Sequence, residues 1–382
     1  MKFELSGDRI MKIAMIGSKG IPFLGEGGGI ERHVEELSTR FAEAGHEVSV
    51  YVRPRAVSRR GEWRGVRLIR LPSIPTKHLD TITHVFLATL HALFQNYDIF
   101  HYHGVGPSTL SWLPRLLAPR AKVIVTFHSQ DRFHKKWGLL ARIFLAFGEW
   151  TAIAFPHKTI VVSRTLERYV RERFGARAAY IPNGVAVVSP KPSMATLRDF
   201  GLKPDCYLLT VARLIRHKGI HFLIQAFSGL AGDWQLVVVG APSYTEDYSR
   251  YLLSLGRSDP RIKFVGFRGG AELSALYSYA ALYVHPSESE GLSLSILEAM
   301  GHGTAVLISD IPENLETIDH SGFSFKNADV LDLRRELERV LGNPELRRSV
   351  GERGRKFVSQ HFSWQMVANE TLNEYQRALT CV

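Results

Sequence analysis

Two series of short apolar strands, each alternating with helical segments, constrain the fold of this chain most strongly. In the first series, the apolar run Lys12–Ile16 is followed by apolar residues at helical spacing from Ile30 to Phe41, and Gly45 ends that helix. A strand, a helix and a second strand in this order form a βαβ unit. The strands predicted in this series are Lys12–Ile16, Glu47–Arg53, Asp98–His103, Lys122–His128 and Lys158–Ser163.

The periodicity stops between Tyr180 and Met194, where prolines and an Asn-Gly pair favour turns. A second series then follows, with strands predicted at Tyr207–Arg213, Trp234–Gly240, Ile262–Phe267, Ala281–Ser287 and Thr304–Ser309. We therefore predict an α/β protein of two doubly wound Rossmann-like domains that face each other across a cleft, where ligands of open α/β sheets bind. The first domain is predicted at residues 1–185, completed by a C-terminal helix at 363–382, and the second at 186–362.

Composition narrows the functional classes. The chain of 382 residues contains two cysteines, Cys206 and Cys381, so a disulfide framework or a cysteine-based zinc site is excluded and a reducing, cytoplasmic location is expected. Residues 1–10 are short and polar and do not resemble a secretory signal. The apolar stretch Leu139–Pro156 contains charged residues, which favours a core or interfacial helix over a membrane span.

The net charge of +11 is carried by the first half of the chain. Basic residues gather between Arg53 and Arg70 and again at Arg132, Lys135 and Lys136. Such clusters attract polyanions or anionic lipid surfaces, although a solvated face is an equally good interpretation. Nucleic acid is not expected as a partner, because basic and aromatic residues do not interleave as in known readers.

A glycine-rich loop precedes the first helix. Residues Gly17–Glu31 include six glycines, which permit close approach of a ligand, and a helix N-terminus favours an anion. A dinucleotide fingerprint does not fit, since the spacing is wrong and the next strand ends at Arg53 rather than at an acid. A flexible turn remains the alternative.

Two cations follow the first strand of the second series. Arg213 and Lys218 would lie at its carboxyl end, where arginine and lysine together suit a diphosphate. The alternative is two solvated charges at a helix start. That position opposes the helix dipole, so an anion between them is the better explanation.

Two glutamates lie in and before an otherwise apolar helix. Glu290 is in the turn after a strand and Glu298 is inside a helix that we predict to begin near Leu292. At the helical rise per residue, the two carboxylates would be about 12 Å apart, roughly the span from the sugar ring to the ribose of a nucleotide-sugar. A carboxylate accepts two hydrogen bonds and can therefore hold a vicinal diol. Pairing of Glu298 with an internal arginine is the alternative.

These residues resemble a known family. The stretch from His285 to Asp310, with Glu290, seven residues and Glu298, is similar to the E-x7-E signature of family four of the retaining GT-B glycosyltransferases. "VARLIRHKG", "IPNGV" and "GGIERHVEEL" are similar to other family segments, so the resemblance covers essentially the whole chain. The N-terminal portion also resembles the rhamnosyl- and hexosyltransferase branch of surface-polysaccharide synthesis.

The resemblance implies roles by position. Glu290 would hold hydroxyls of the transferred sugar, Glu298 the nucleotide ribose, and Arg213 and Lys218 the departing diphosphate. His128 resembles the family histidine near the donor sugar. The remaining implied contacts to the donor are Gly28, Gly29, Gly291, Leu292 and Ser293, and His103 is an acceptor-side or structural neighbour. An extra glycine in "GGGIE" leaves open which amide meets the phosphate, and residues 74–96 match nothing in the family.

The implied activity is metal-independent transfer, with retention, of a hexose or deoxyhexose from a nucleotide-diphosphate sugar to a glycan or lipid-linked acceptor. No cofactor is expected beyond that co-substrate. Peripheral attachment to the inner face of a membrane, through the basic first domain, is a further hypothesis. The alternatives are a nucleotide-sugar epimerase, another GT-B enzyme such as a sugar phosphorylase, and an inactive polyanion- or membrane-binding protein.

Overall fold

The chain divides into two compact units. The computed structural model describes residues 9–22, 28–76, 79–130, 138–242 and 245–380. Unit 1 comprises residues 1–183 and 364–382, and unit 2 comprises 184–363. Each unit holds a sheet with helices packed against it, so the predicted class of two Rossmann-like α/β domains is confirmed.

The unit 1 sheet contains eight strands among the described residues. Its order is β3-β4-β2-β1-β5-β6-β7-β8, and every neighbouring pair is parallel except β3 and β4. The central strands are buried along nearly their whole length, as expected for a sheet covered on both faces. The strands are β1 (Lys12–Ile16), β2 (Glu47–Val52), β3 (Gly61–Trp63), β4 (Val66–Arg70), β5 (Ile99–His103), β6 (Lys122–Phe127), β7 (Lys158–Val161) and β8 (Ala179–Tyr180).

The helices of unit 1 come from both ends of the chain. Those before the unit boundary are α1 (Gly29–Glu43), α2 (Leu79–Leu93), α3 (Val105–Ser108), α4 (Trp112–Leu117), α5 (Leu139–Ala154) and α6 (Arg164–Phe174). The last helix of the chain, Trp364–Thr380, returns to unit 1 and packs against α1.

Unit 2 holds a fully parallel sheet of six strands in the order β11-β10-β9-β12-β13-β14 among the residues that the structure describes. Its strands are β9 (Tyr207–Val211), β10 (Gln235–Val239), β11 (Ile262–Gly266), β12 (Leu282–His285), β13 (Val306–Ser309) and β14 (Phe323–Phe325). Its helices are α7 (Ala195–Asp199), α8 (Ile220–Ser228), α9 (Glu246–Gly256), α10 (Gly270–Tyr279), α11 (Leu294–Gly301), α12 (Pro312–Ile318), α13 (Val330–Leu341) and α14 (Pro344–His361). In this order the final helix, Trp364–Thr380, is α15.

Three local expectations were wrong. The helix that contains Glu298 begins at Leu294 rather than near Leu292, because Gly291 and Leu292 lie in a bend and Ser293, the N-cap residue, is extended. Arg53 does not belong to an exposed basic face: it is 5% exposed and donates to Asp80 at 2.5 Å. The basic segment that follows it contains β3 and β4, an antiparallel pair at the sheet edge that was not predicted, and Arg67 and Arg70 lie on β4. Arg132, Lys135 and Lys136 lie outside the described residues.

None of the described helices is long and apolar enough to cross a membrane.

Unit 1 depends on α15 through one buried tyrosine. Tyr375 is fully buried, its ring packs edge-on against Phe41 of α1, and its hydroxyl lies 2.6 Å from Nδ1 of His101 on β5. The C-terminal helix therefore supplies a hydrogen bond to the centre of a sheet formed more than 250 residues earlier in sequence.

We expect Tyr375→Phe to lower the free energy of unfolding by about 1–3 kcal/mol, because it leaves Nδ1 of His101 buried without its partner. Urea unfolding followed by circular dichroism measures this change. Asn373→Ala, at an exposed position on the same helix, is the control and should change stability little. Equal stability of Tyr375→Phe and the wild type would show that the hydrogen bond does not hold α15 in place.

Candidate active site

The predicted site residues of unit 2 follow two neighbouring strands. Arg213 comes two residues after β9, and Glu290 comes five residues after β12. Strands β9 and β12 are paired and parallel, so the loops after them leave the same edge of the sheet side by side. This arrangement places the cationic loop and the acidic loop together.

A three-membered hydrogen-bonded group connects these loops. Nζ of Lys218 lies 2.5 Å from Oε1 of Glu290, and Nε2 of His285 lies 2.7 Å from the same oxygen. The Glu290 side chain is only 9% exposed, and that of Lys218 is 14% exposed. Both bonds use Oε1, and Oε2 of Glu290 accepts no hydrogen bond from the part of the chain that the structure describes. We call this group the Lys218–Glu290–His285 triad.

The triad keeps Glu290 ionised. Burial by itself would raise the pKa of Glu290, but the Lys218 ammonium and the His285 hydrogen bond outweigh it and hold the pKa well below its usual range. Burial lowers the pKa of His285, against the opposing pull of Glu290. A neutral His285 that donates from Nε2 has an acceptor at Nδ1, which lies 3.0 Å from the hydroxyl of Tyr283.

Backbone contacts fix the position of Lys218. The amide of Glu288 donates to the carbonyl of His217 at 2.8 Å, and the hydroxyl of Ser287 donates to the same oxygen at 3.1 Å. Gly219, the residue after Lys218, has φ +64°, and a Cβ there would lie 1.8 Å from the carbonyl oxygen of Pro286. Glycine is therefore required where the two loops cross.

Glu298 lies inside α11 and is half-buried. The hydroxyl of Tyr277 donates to its Oε2 at 3.2 Å. Because α11 begins only at Leu294, a purely helical rise does not describe the separation of Glu290 and Glu298, and the 12 Å estimate does not apply. Gly291, Leu292 and Ser293 are buried in the turn between the two acids.

The remaining predicted cation is accessible. Arg213 is exposed, so its guanidinium can reach a ligand without first breaking a buried contact. Lys218, by contrast, already has a carboxylate partner. The two cations that the sequence treated alike are therefore different: one is fixed by the protein, and the other is open to solvent.

The glycine-rich loop is described only in part. Residues 23–27 lie outside the described residues. The amide of Gly28 donates to Oε2 of Glu31 at 2.6 Å, and the amide of Lys19 donates to Oε1 of the same carboxylate at 3.0 Å. Gly29 is the first residue of α1 and is exposed. The Gly28 amide, which the family resemblance assigned to a phosphate, thus donates its hydrogen bond to the side chain of Glu31. Gly29 is exposed.

Four buried histidines form a cluster in unit 1. His128, at the end of β6, packs edge-on against His33 with ring centroids 4.8 Å apart. His103 lies between His128 and His101. Nδ1 of His103 is 3.4 Å from Nε2 of His128, and the ring centroids of His103 and His101 are 4.0 Å apart. His33 and His101 were not singled out from the sequence, although His33 is within the quoted segment "GGIERHVEEL".

Burial keeps these imidazoles neutral. It lowers the pKa of His33 to about 4, and it holds the pKa values of His101, His103 and His128 well below the usual range. Nδ1 of His33 lies 2.9 Å from Oδ1 of Asn183, and Nε2 of His33 is buried without a hydrogen-bond partner in the described chain.

One group of described residues could hold a metal ion. The ligand nitrogens of His33, His103 and His128 all lie within 4.8 Å of one another. Neutral imidazoles bind zinc and similar ions. The group contains no carboxylate, so it would offer an ion three neutral ligands.

Two protein-family models match this chain, one in each unit. Residues 27–188 match the family described as Glycosyltransferase Family 4, and residues 198–357 match the family described as Glycosyl transferases group 1. The chain has the two domains of a GT-B glycosyltransferase. The first match covers His33, His103 and His128, and the second covers the triad, Arg213 and Glu298.

Curated relatives agree with this assignment. The glycosyltransferase is 25% identical over 397 aligned residues to an uncharacterised glycosyltransferase of Methanocaldococcus jannaschii, covering 97% of this chain and 99% of the relative. It is 33% identical over 190 residues to the serotype-specific mannosyltransferase WbdA of Escherichia coli, covering 48% of this chain and 23% of that protein. Among solved structures, HepE of Anabaena in complex with UDP and glucose has a TM-score of 0.79 at 18% identity, covering 96% of this chain and 100% of that one.

The histidine cluster should make the glycosyltransferase sensitive to acid. A histidine whose pKa is lowered in the folded state contributes stability above its unfolded pKa of about 6.5, and this contribution is lost as the pH falls through the folded value. For His33 the loss extends from pH 6.5 to about 4. Each such histidine should cost about 1.4 kcal/mol per pH unit in this window.

We therefore expect the free energy of unfolding to fall by several kcal/mol between pH 7 and pH 5, as measured by urea unfolding. His33→Asn should make this fall smaller, whereas His361→Asn, at an exposed position at the end of α14, should leave it unchanged. A pH dependence that is identical in wild type and His33→Asn would contradict a buried, neutral His33.

Proposed function

We propose that this glycosyltransferase moves a hexose or deoxyhexose from a nucleotide-diphosphate sugar to a hydroxyl of a glycan or lipid-linked acceptor, with retention and without a metal ion. The observation that carries the proposal is the Lys218–Glu290–His285 triad at the carboxyl edge of the unit 2 sheet. The two matched families and the UDP and glucose in HepE support a nucleotide-sugar donor. The mannosyltransferase WbdA supports a hexose.

The triad suits a sugar better than it suits proton transfer. Glu290 is held ionised, and one of its oxygens is occupied by Lys218 and His285. Its other oxygen can accept hydrogen bonds from sugar hydroxyls, which are donors. A carboxylate with a strongly lowered pKa is a poor general base, so we assign Glu290 to sugar binding rather than to proton abstraction.

Two cations would stabilise the leaving group. As the glycosidic bond breaks, negative charge builds on the β-phosphate, and fixed cations lower that barrier without reorganising. Lys218 is fixed by Glu290, and Arg213 is exposed and can add a bidentate contact. The first amides of α11, after Ser293, point in the direction that favours an anion.

The remaining assignments follow the family pattern. Glu298, which is half-buried on α11, would accept hydrogen bonds from the ribose hydroxyls, and the hydroxyl of Tyr277 would orient its carboxylate. His128 would contact the donor sugar as a neutral imidazole, which can donate or accept a hydrogen bond. Because we assign Glu290 to sugar binding through its contacts with Lys218 and His285, we assign retention to attack from the leaving-group side, with the departing phosphate as the base.

Loss of either cation should slow transfer. We expect Arg213→Ala and Lys218→Ala each to lower kcat by about 10²–10³, because each removes a group that stabilises the departing charge. Turnover is measured as nucleoside diphosphate released with and without acceptor, so an epimerase, which needs no acceptor, would be recognised. Arg216→Ala, an exposed arginine in the same turn, is the matched control and should retain activity. Wild-type turnover in both Arg213→Ala and Lys218→Ala would reject the assignment.

Metal independence has a direct test. Extensive dialysis against a chelator should leave kcat unchanged, because the proposed charge stabilisation comes from Arg213, Lys218 and backbone amides. Loss of activity that added zinc or manganese restores would contradict the proposal. If His33→Asn also abolished that restoration, the three-histidine group in unit 1 would be the metal site.

A further inference from the structure

Three buried histidines of unit 1 bring ring nitrogens together on regular secondary structure. One ligand nitrogen from each of His33, His103 and His128 lies within 4.8 Å of the other two. His103 ends β5, His128 directly follows β6, which is the parallel neighbour of β5, and His33 belongs to α1. Strands and packed helices hold side chains more precisely than loops do, so the three rings are well placed to act together.

The contacts of His33 decide which of its nitrogens carries the proton. Nδ1 lies 2.9 Å from Oδ1 of Asn183, a carbonyl oxygen that can only accept. Burial keeps the ring neutral, with its pKa lowered to about 4, so its single N–H is at Nδ1 and Nε2 carries a lone pair. That nitrogen is buried without a hydrogen-bond partner in the described chain. A buried acceptor of this kind requires an explanation, and a bound ligand is one.

His103 shows the same pattern. Its Nε2 lies 3.4 Å from Sδ of Met15, and a thioether sulfur can only accept, so the proton of this ring is at Nε2. Nδ1 therefore carries a lone pair, and it lies 3.4 Å from Nε2 of His128. This separation is long for a hydrogen bond, since N–H donors normally lie about 2.7–3.2 Å from their acceptors. It matches the distance of about 3.3–3.4 Å between two nitrogens of a tetrahedral zinc site.

The fourth histidine of the cluster does not belong to this group. Nδ1 of His101 lies 2.6 Å from the hydroxyl of Tyr375, and its Nε2 lies 2.7 Å from the hydroxyl of Thr126. Both nitrogens of His101 thus have partners, and three histidines remain as ligands. Three neutral histidines with a fourth position for water or hydroxide form a recognised type of zinc site. Imidazole also prefers zinc and related transition metals to magnesium or calcium.

We propose that His33, His103 and His128 bind one zinc ion, and that zinc bound there inhibits sugar transfer. The nitrogens left for the ion are Nε2 of His33, Nδ1 of His103 and Nε2 of His128. The group is wider than a tetrahedral site by up to about 1.4 Å, so the rings would rotate slightly as they close around the ion.

The outer contacts of the group suit metal ligands. A metal-binding histidine normally donates its other ring N–H to an acceptor, which fixes the tautomer and the orientation of the ring. Asn183 accepts from His33 in this way, and the sulfur of Met15 is a weaker acceptor for His103. Ordinary core packing is the alternative, but it does not account for the lone partnerless nitrogen of His33 or for the long separation of His103 and His128.

Zinc would occupy a nitrogen that transfer uses. In the proposed function, His128 contacts the donor sugar as a neutral imidazole. Once its Nε2 binds an ion, that nitrogen cannot exchange a hydrogen bond with a sugar hydroxyl. The inhibition therefore rests on the proposed function, whereas the binding of zinc does not. An inhibitory ion is compatible with transfer that needs no metal, because the ion takes no part in the reaction.

Calorimetric titration of the full-length protein with zinc chloride, after dialysis against a chelator, tests the binding. We expect one ion per chain at this site, and binding about tenfold weaker or more in His33→Asn and in His103→Asn, because each variant lacks one ligand. His361→Asn, at an exposed position at the end of α14, is the control and should bind zinc as the wild type does. Circular dichroism establishes that each variant is folded.

Cobalt(II) gives a second measurement that does not depend on heat. Tetrahedral cobalt(II) absorbs visible light more strongly than the hydrated ion, and added zinc should displace it from the same site. The wild type and His361→Asn should develop these absorption bands. His33→Asn and His103→Asn should not, since neither retains all three ligands.

The rate of nucleoside diphosphate release in the presence of acceptor tests the inhibition. Zinc should raise the KM for the nucleotide-sugar in the wild type, because the ion and the sugar compete for His128. His33→Asn, compared with its own rate in the absence of zinc, should need about tenfold more zinc or more for the same effect.

The outcomes separate this inference from the proposed function. If the wild type binds no zinc, or if both folded ligand variants bind zinc and cobalt as the wild type does, the inference is wrong. If binding depends on His33 and His103 but zinc leaves transfer unchanged, the zinc site is supported and the inhibition is wrong. If the zinc-free wild type transfers no sugar at all, the proposed function fails, while the titrations still decide whether zinc binds.

Discussion

The buried ion pair between Lys218 and Glu290, completed by His285, is the interaction on which the candidate site depends. Bringing a carboxylate to 9% exposure is costly unless a partner compensates for the lost hydration. Here the partner is a cation from a neighbouring loop, and the crossing of the two loops is fixed by backbone bonds and by Gly219. The pair leaves one carboxylate oxygen without a hydrogen bond from the described chain and fixes one cation. In the proposed function, this single contact would prepare both the sugar side and the diphosphate side of the donor site.

In contrast to the ion pair of unit 2, the buried histidine cluster of unit 1 is uncharged. Its four clustered histidines have no carboxylate partner among the hydrogen bonds described above, and burial keeps them uncharged. Their polar atoms are instead satisfied by neutral groups, namely Asn183, Thr126 and Tyr375. The last of these comes from α15, which explains in physical terms why the C-terminal helix belongs to the first unit rather than to the second. The exception is Nε2 of His33, which is buried without a hydrogen-bond partner in the described chain.

Much of the fold could be predicted from the sequence because its strands are short apolar runs with clear breaks between them. Strand β1 was predicted with its observed bounds, and most others were predicted within two residues. The pair β3 and β4 was missed because its arginines were read as a solvated run, whereas alternate residues such as Val66 and Leu68 point into the core. Arg53 was misplaced for a related reason: its partner Asp80 is distant in sequence.

The candidate site was predicted only as a set of residues. The spacing of Glu290 and Glu298 indicated two acids on one segment, but the contacts of Glu290 with Lys218 and His285 depend on strand order, which periodicity does not encode. Likewise, the capture of the Gly28 amide by Glu31 depends on the local turn rather than on the glycine count. The sequence left open whether the apolar stretch Leu139–Pro156 is a core or an interfacial helix, because composition alone does not separate the two. In the structure, α5 exposes apolar side chains such as Leu139 and Phe147.

The most direct test of the central claim is calorimetric titration of Glu290→Gln and wild type with a nucleoside diphosphate and the corresponding nucleotide-sugar. The pair is chosen by the largest rise in melting temperature across such ligands. If Glu290 holds the sugar, the variant should lose the additional affinity for the nucleotide-sugar and should bind the nucleoside diphosphate at least as tightly as the wild type, because Lys218 is released from its carboxylate. Unchanged affinity for both ligands in the variant would contradict the account.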